Sequence, residues 1–496
     1  MASGRLVVVS NRLPVVLQRN KQGEWRVQPG AGGLVTAMAP VLRDRGGLWI
    51  GWAGTPAAQA REVELRLAAG VEGVGYTLRD VPLMRDEVDG YYHGFANEIL
   101  WPLFHDLPSR CNFDPDYWPV YEAVNAKFAA AVAEHAGPED YLWVHDYHLI
   151  LLGREARRLG LRQRAGFFLH IPFPPPDLFF KLPWRFQLLE ALLDYDLVGF
   201  QTVRDRRNFL QCVRTLLPGS RVRGAGAVVS LAVPDRRETR VGAFPISIDF
   251  EDFARFAATP EVAQKAWLIH ESLPRRQLIL GLDRLDYSKG IPERIRALAR
   301  ALERFPELRR NVTFVQVVVP SRTDVTEYKR LRDEIERLVG RVNGRFTSAG
   351  WTPIHYIFRS LSRVELVAYY RTCEIALVTP LKDGMNLVSK EFCACSLDHN
   401  SVLVLSEFAG AAAQLQHGAL LVNPHDIDGT AQAIWNAFRM PQDERAQRMQ
   451  ALRRTIRQQN IYRWVDAFLQ AATSHQLSDF PVALPYVPRR TESPPA

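Results

Sequence analysis

Cysteine is scarce here: five in 496 residues, an odd number, with no CxxC pair among them. That excludes a disulfide scaffold and a paired-cysteine zinc site, and several of the five lie in helix-like apolar segments where Cys behaves as a small hydrophobe. No apolar run approaches the roughly 20 residues a membrane span needs. The opening MASGRLVVVSNR lacks the apolar centre of a secretory leader. A soluble, cytoplasmic protein that does not enter a membrane is therefore expected. Like charge never accumulates in a block. The net charge of +8 comes from arginines scattered along amphipathic segments such as ERIRALARALERFPELRR, which read as solvated helix faces rather than a nucleic-acid arm.

Several catalytic signatures are missing as well. HExxH is absent, and His145 and His148, three apart without a third ligand at a recognisable spacing, make a poor zinc site. No metal and no cofactor are expected. Neither GxGxxG nor GxxxxGK[ST] occurs, which removes support for nicotinamide dinucleotides and P-loop nucleotides. The missing GxSxG argues against an α/β-hydrolase.

What is present is a succession of short Val/Ile/Leu runs, each followed by a polar loop and then a 3.6-period segment. RLVVVSNR, YLWVHDY, AGFFLHI and DLVGFQT come first; LILGLDRL, FVQVVVP, EIALVTP, SVLVLSE and ALLVNP follow. Continuous apolar strands alternating with helices mean parallel sheets covered on both faces, a doubly wound α/β fold. Tyr328, Leu331, Ile335, Leu338 and Val342 mark one such surface helix after PSRTD, with Val325 at its start. A polar, weakly periodic stretch at 218–252 divides the two strand series. The boundaries read as 1–245, 246–445, a helical 446–480, and a Pro-rich loose tail at 481–496.

In open α/β sheets ligands collect at the carboxyl ends of the strands, so the residues there come first. They are Arg12, Gly32 and Gly33 in GAGGL, Asp146 in HDYH, His170, Arg284 and Lys289 in DRLDYSKG, Arg322, and Asp383 to Glu391 in DGMNLVSKE. GAGGL entering a helix is either an anion cradle or merely a tight turn. Arg284 and Lys289, five apart, could neutralise a diphosphate, or the arginine could pair with Asp283 or Asp286. Four cations gathered at strand ends favour the ligand reading.

At this point the motifs converge. VVVSNRLPV, GGLVTA, WIGWAG, NEILWPLFH, VHDYHL, GFFLHIPFP, DLVGFQT, DRLDYSKGIPERI, PSRTDV, LVTPLKDGMNLVSKE and VLSEFAGAA run in order through residues 5–440. Together they resemble the trehalose-6-phosphate synthase family of retaining glycosyltransferases. The resemblance implies GT-B architecture, two Rossmann-like domains facing across a cleft with the last helices returning to the first domain. It also implies transfer of glucose from UDP-glucose to glucose 6-phosphate, hence a role in trehalose biosynthesis and osmoprotection. Its partners would be small-molecule substrates, not nucleic acid; self-association into a homo-oligomer stays open.

Carried over by motif, Arg12, Tyr92, Trp101, Asp146 and Arg322 would meet the acceptor sugar phosphate. The donor would meet Gly32, Gly33, His170, Arg284, Lys289, Leu361 and the run Asp383, Gly384, Met385, Asn386, Leu387, Val388, Ser389, Lys390 and Glu391. Asp146, His170, Arg284 and Lys289 would carry the chemistry. The stretch 350–391 is also similar to the glucosylglycerol-phosphate synthases, which use ADP-glucose and glycerol 3-phosphate. Ser247, where many members have Gly, and Leu361, where some have an aromatic, bear on the nucleotide base. Gly384 reads as the turn that opens a helix. Glu391, eight residues beyond Asp383 and roughly 12 Å away at 1.5 Å per helical residue, would then reach the ribose while Asp383 holds the sugar.

Overall fold

A computed structural model describes residues 4–19, 25–29, 38, 42, 46–54, 75–272, 276–321, 326–474 and 486. The chain forms two compact units: residues 1–246 with 461–483, and residues 247–460 with 484–496.

In the first unit nine strands make one sheet, in the order Thr77–Asp80, Leu48–Trp52, Leu6–Arg12, Tyr141–His145, Ala165–Phe168, Leu197–Phe200, Thr239–Ala243, Val228–Ala232, Arg221–Arg223. The first seven run parallel, and the last two are antiparallel additions. The apolar runs are buried on both faces: Val7, Val8, Val9, Trp49, Ile50, Leu142, Trp143 and Val144 have no exposed surface. A separate antiparallel ladder joins Val15–Arg19 to Trp25–Pro29.

The second unit holds six parallel strands, ordered Ile354–Phe358, Val312–Val319, Gln277–Arg284, Ile375–Val378, Val402–Ser406, Leu420–Val422. Numbered along the chain within each unit's parallel set, the first sheet reads 3-2-1-4-5-6-7 and the second 3-2-1-4-5-6, both with the doubly wound reversal and its crevice between strands 1 and 4. That reversal falls between Leu6–Arg12 and Tyr141–His145 in one sheet, and between Gln277–Arg284 and Ile375–Val378 in the other.

Three differences from the sequence reading stand out. The helix Gln442–Gln458 belongs with the second unit, so the chain rejoins the first at Ile461 rather than at 446. Its Met449, Leu452 and Ile456 are buried there, and Arg445 bonds Ala437 O, Phe438 O and Gln277 Oε1. The helix Ile461–Thr473 instead lays Phe468 flat on Trp143, ring centroids 4.4 Å apart, with Trp464 stacked beside it. Gly166 and Gly199 on adjacent strands make room, since a Cβ on either would come within 2.8 Å of the Phe468 ring.

Within 481–496 the one described residue, Tyr486, donates to Glu407 Oε2 at 2.8 Å, so this position at least is tied down. In the helix Thr326–Phe346, Tyr328, Leu331, Ile335 and Val342 are buried as expected, but Val339 takes the core position expected for Leu338; Val325 lies outside the described residues.

Candidate active site

At the first switch point, Arg12 ends its strand opposite Trp52, and its guanidinium lies 4.5 Å over the Trp52 ring. Gly54 leaves the space: its φ is 87°, and a Cβ there would sit 2.3 Å from Arg12 Nη2. Tyr92 meets Trp52 edge-on at 6.4 Å and stacks flat on His148 at 5.7 Å. It rides on a 13-residue π-helix, Val88–Leu100, a form that concentrates at functional sites. Asn97 braces this helix by donating to Tyr92 O at 2.6 Å while accepting from the Tyr147 hydroxyl at 2.9 Å. Trp101 is buried against Tyr147.

Asp146 follows its strand with φ 74°, unusual for a residue with a side chain. The turn is held because its N–H donates to Phe168 O at 2.8 Å and its carboxylate accepts from the His170 N–H at 3.2 Å. Behind it, His170 Nε2 lies 3.1 Å from His145 Nδ1. Burial keeps both rings neutral, pushing His170 down to about 3 and His145 well below its usual value, the latter with help from His170.

The second switch point is built from ion pairs. Arg284 ends its strand exposed, its side chain with no hydrogen bond or ion pair among the described residues. The loop beyond it is fixed by Asp286, which accepts from Ser288 N, and by Gly290 at φ 63°, where a Cβ would strike Thr379 O at 2.4 Å. Leu381 N donates to Ser288 O at 2.8 Å. These contacts press two loops together and seat Lys289 Nζ 2.6 Å from Asp383 Oδ2. Asp383 also accepts from Asn386 Nδ2 at 3.2 Å.

The helix here begins at Leu387, not at Gly384. Asn386, at φ 76°, takes the left-handed turn and caps the helix by accepting from Ser389 N at 3.1 Å. An Asn tolerates that conformation and supplies the cap oxygen as well. The 12 Å ruler from Asp383 to Glu391 consequently fails, because the first four residues of that span are not helical. Glu391 accepts from the Tyr370 hydroxyl at 2.8 Å, and burial raises its pKa above the usual range. Lys390 bonds Gln414 Oε1 at 2.7 Å, and burial lowers it to about 7. Leu361 is half-buried just ahead of the helix capped by Ser362. Ser247 is fully buried, its hydroxyl without a partner among the described residues.

Sequence reasoning missed the group that supports this loop. Arg294 is fully buried: Nη1 bonds Asp283 Oδ2 at 2.7 Å, Nε bonds Thr379 Oγ1 at 3.0 Å, and Nη2 reaches Lys289 O at 3.3 Å. It sits in the very segment taken for a solvated face. A signal existed, for Ile291, Arg294, Ile295, Leu298, Ala301 and Leu302 share one helical stripe, and the arginine interrupts the apolar side. Tyr370, Trp52 and the pairing of His145 with His170 carried no comparable signal. Gly32, Gly33 and Arg322 lie outside the described residues.

Two sheets in nucleotide-binding strand order, one with an ion-paired lysine and an exposed arginine at its switch point, define a two-unit α/β enzyme suited to phosphorylated ligands. The chain belongs to Glycosyltransferase family 20, whose family model matches residues 4–474. It is similar to the trehalose-6-phosphate synthase of Mycolicibacterium smegmatis, 43% identical over 94% of this chain and 92% of that one. It is also 42% identical to the bifunctional trehalose-6-phosphate synthase/phosphatase of Thermoproteus tenax, covering 95% of this chain but 64% of that longer protein. Among solved structures, a UDP-forming α,α-trehalose-phosphate synthase from Burkholderia xenovorans in complex with glucose 6-phosphate superposes with a TM-score of 0.85 at 36% identity, covering 95% of this chain and all of that one.

Proposed function

We propose that the protein transfers glucose from UDP-glucose to glucose 6-phosphate with retention, giving α,α-trehalose 6-phosphate and UDP. The observation that carries this reading is the pairing of Lys289 with Asp383 beside the exposed Arg284 at the second switch point. Two cations and a carboxylate at one strand-end crevice suit a nucleotide-sugar's diphosphate and hydroxyls. In the first unit, Arg12 and the Tyr92 hydroxyl suit a sugar phosphate dianion, and Asp146 suits an acceptor hydroxyl. Trp101 would wall the sugar, and Arg322 would join the phosphate.

Leaving-group departure is the costly step, and preorganised cations lower its barrier by meeting the charge that grows on the departing phosphate. Arg284 and Lys289 have that role. A protein nucleophile is not required, since the leaving phosphate can take the acceptor's proton while bound neighbours hold the two reacting atoms together. Gly32, Gly33, His170, Leu361 and the segment from Asp383 through Gly384, Met385, Leu387, Val388 and Ser389 to Glu391 complete the donor side. Reduced cysteines, all five free and four of them buried, suit a cytoplasmic setting.

The test is a matrix of UDP-, ADP- and GDP-glucose against glucose 6-phosphate and glycerol 3-phosphate, followed by nucleotide release. Turnover with UDP-glucose and glucose 6-phosphate is expected. Turnover confined to ADP-glucose and glycerol 3-phosphate would assign the chain to glucosylglycerol-phosphate synthesis instead.

A further inference from the structure

His145 is fully buried at the end of its strand, under Trp143 and Trp464. Its ring has one hydrogen-bond partner among the described residues, His170 Nε2 at 3.1 Å from Nδ1. The other nitrogen, Nε2, is buried with none. One proton must lie between the two rings, and only two neutral arrangements exist. If His170 Nε2 carries it, then His145 must hold its own proton on Nε2, an N–H donor sealed in an aromatic core with no acceptor. If His145 Nδ1 carries it, the buried Nε2 is only a bare lone pair. Orphaned buried N–H groups are the rarer and costlier defect.

We infer that His145 is a positioning residue that fixes His170 in the tautomer with its proton on Nδ1, so that His170 offers a hydrogen-bond donor to an oxygen of the bound substrate. His170 Nδ1 has no hydrogen-bond partner among the described residues, and the residue is half-buried. The opposite tautomer would present an acceptor there, which repels a phosphate or carbonyl-type oxygen and pairs with a sugar hydroxyl only as that hydroxyl's acceptor. The His170 backbone is pinned separately by Asp146, so His145 sets the ring's proton while Asp146 sets the main chain. Trp143, Phe168 and Trp464 pack against the pair, and the Asp146 carboxylate meets the His170 main chain.

This deepens the donor role given to His170 and rests on that reading only for the identity of the oxygen. The test begins without substrate, by long-range proton–nitrogen NMR on protein labelled with 15N-histidine, His170 being assigned from a His170→Gln sample. The expected result is a protonated, pyrrole-like Nδ1 and a bare Nε2 on His170. A protonated Nε2 there overturns the inference, whatever the enzyme's substrates prove to be. In kinetics, His145→Phe keeps the ring volume but removes the donor, and should lower kcat/KM for the nucleotide-sugar about tenfold with the acceptor KM unchanged. His145→Asn, whose amide N–H stands near the Nδ1 position, should restore most of that loss and the His170 nitrogen pattern. Equal losses in both variants, with the His170 pattern unchanged in both, would make His145 a packing residue only.

Discussion

At the first sheet's switch point the functional side chains are oriented by aromatic stacking and by two histidines kept neutral, whereas at the second they are oriented by ion pairs within loops pressed together. Arg12 rests on Trp52 and leans over Gly54; Lys289 is tied to Asp383, and its loop is anchored by Arg294 on Asp283. The same strand order therefore supports two ways of holding a cation. A stacked guanidinium keeps its edges available for a phosphate, while an ion-paired ammonium is positioned but partly neutralised until a ligand competes for it. The first arrangement suits binding of a charge already present, the second a charge that develops during reaction.

The largest expected effect comes from breaking the buried pair. Arg294→Met should cost about 3–5 kcal/mol, because it leaves Asp283 buried without its cation, and urea denaturation measures this. The double change Asp283→Asn with Arg294→Met should recover much of the loss; if it is no more stable than the single variant, the pair does not act as a unit. Burial raises the Asp283 pKa against the pull of Arg294 and Lys289, so removing either cation pushes it the same way.

Next in size, Lys289→Ala should lower kcat about 100-fold and leave the KM for glucose 6-phosphate near its original value. A change confined to donor KM would make Lys289 a uniform binder and erase the contrast between the two cations.

On the first unit the effect should appear in binding instead. Gly54→Ala strains a φ of 87° and drives a methyl into the Arg12 guanidinium. The KM for glucose 6-phosphate should rise about tenfold, the scale of one charge-assisted hydrogen bond, with little change in donor KM. Arg12→Ala should reproduce it, and the double variant should be no worse than Arg12→Ala alone.

The smallest effects are pH-dependent. His145 and His170 titrate lower in the folded chain than when unfolded. Their neutral burial therefore costs nothing above about pH 6.5, and stability falls as pH drops from there toward about 3. Lys390 is also depressed, from 10.5 to about 7. Its burial costs nothing above pH 10.5, and the cost grows as pH falls to about 7. Thermal melts across pH 7 to 10.5 should thus show a flatter profile for Lys390→Met than for the unaltered protein; parallel profiles would place a charged Lys390 in the fold.

Much of this was legible in the chain. Parallel strands announced themselves as mostly apolar runs such as LVVV and VTFVQVVV, since a strand covered on both faces has little polar alternation to show. Strand ends could be read for the same reason, because each run stops abruptly at Arg12, Asp146, Arg284 or Thr379. Less legible was anything requiring two distant segments. The helix start moved from Gly384 to Leu387 because Asn386 supplies both the turn and the cap, and a Gly-based reading gives the turn to the wrong residue.

Consecutive residues alone were enough for the central parallel strands, the presence of two units and the family, because apolar runs and long motifs are local properties; the strands Arg221–Arg223, Val228–Ala232 and Thr239–Ala243, within a stretch read as a polar divider, were not among them. Which charges pair, and which histidines meet, came instead from long-range packing. Lys289 meets Asp383 across 94 residues, and His145 meets His170 across 25. Whether a cation is solvated or buried, and whether a histidine donates or accepts, depends on neighbours that burial and strand order bring together, and no local pattern encodes them.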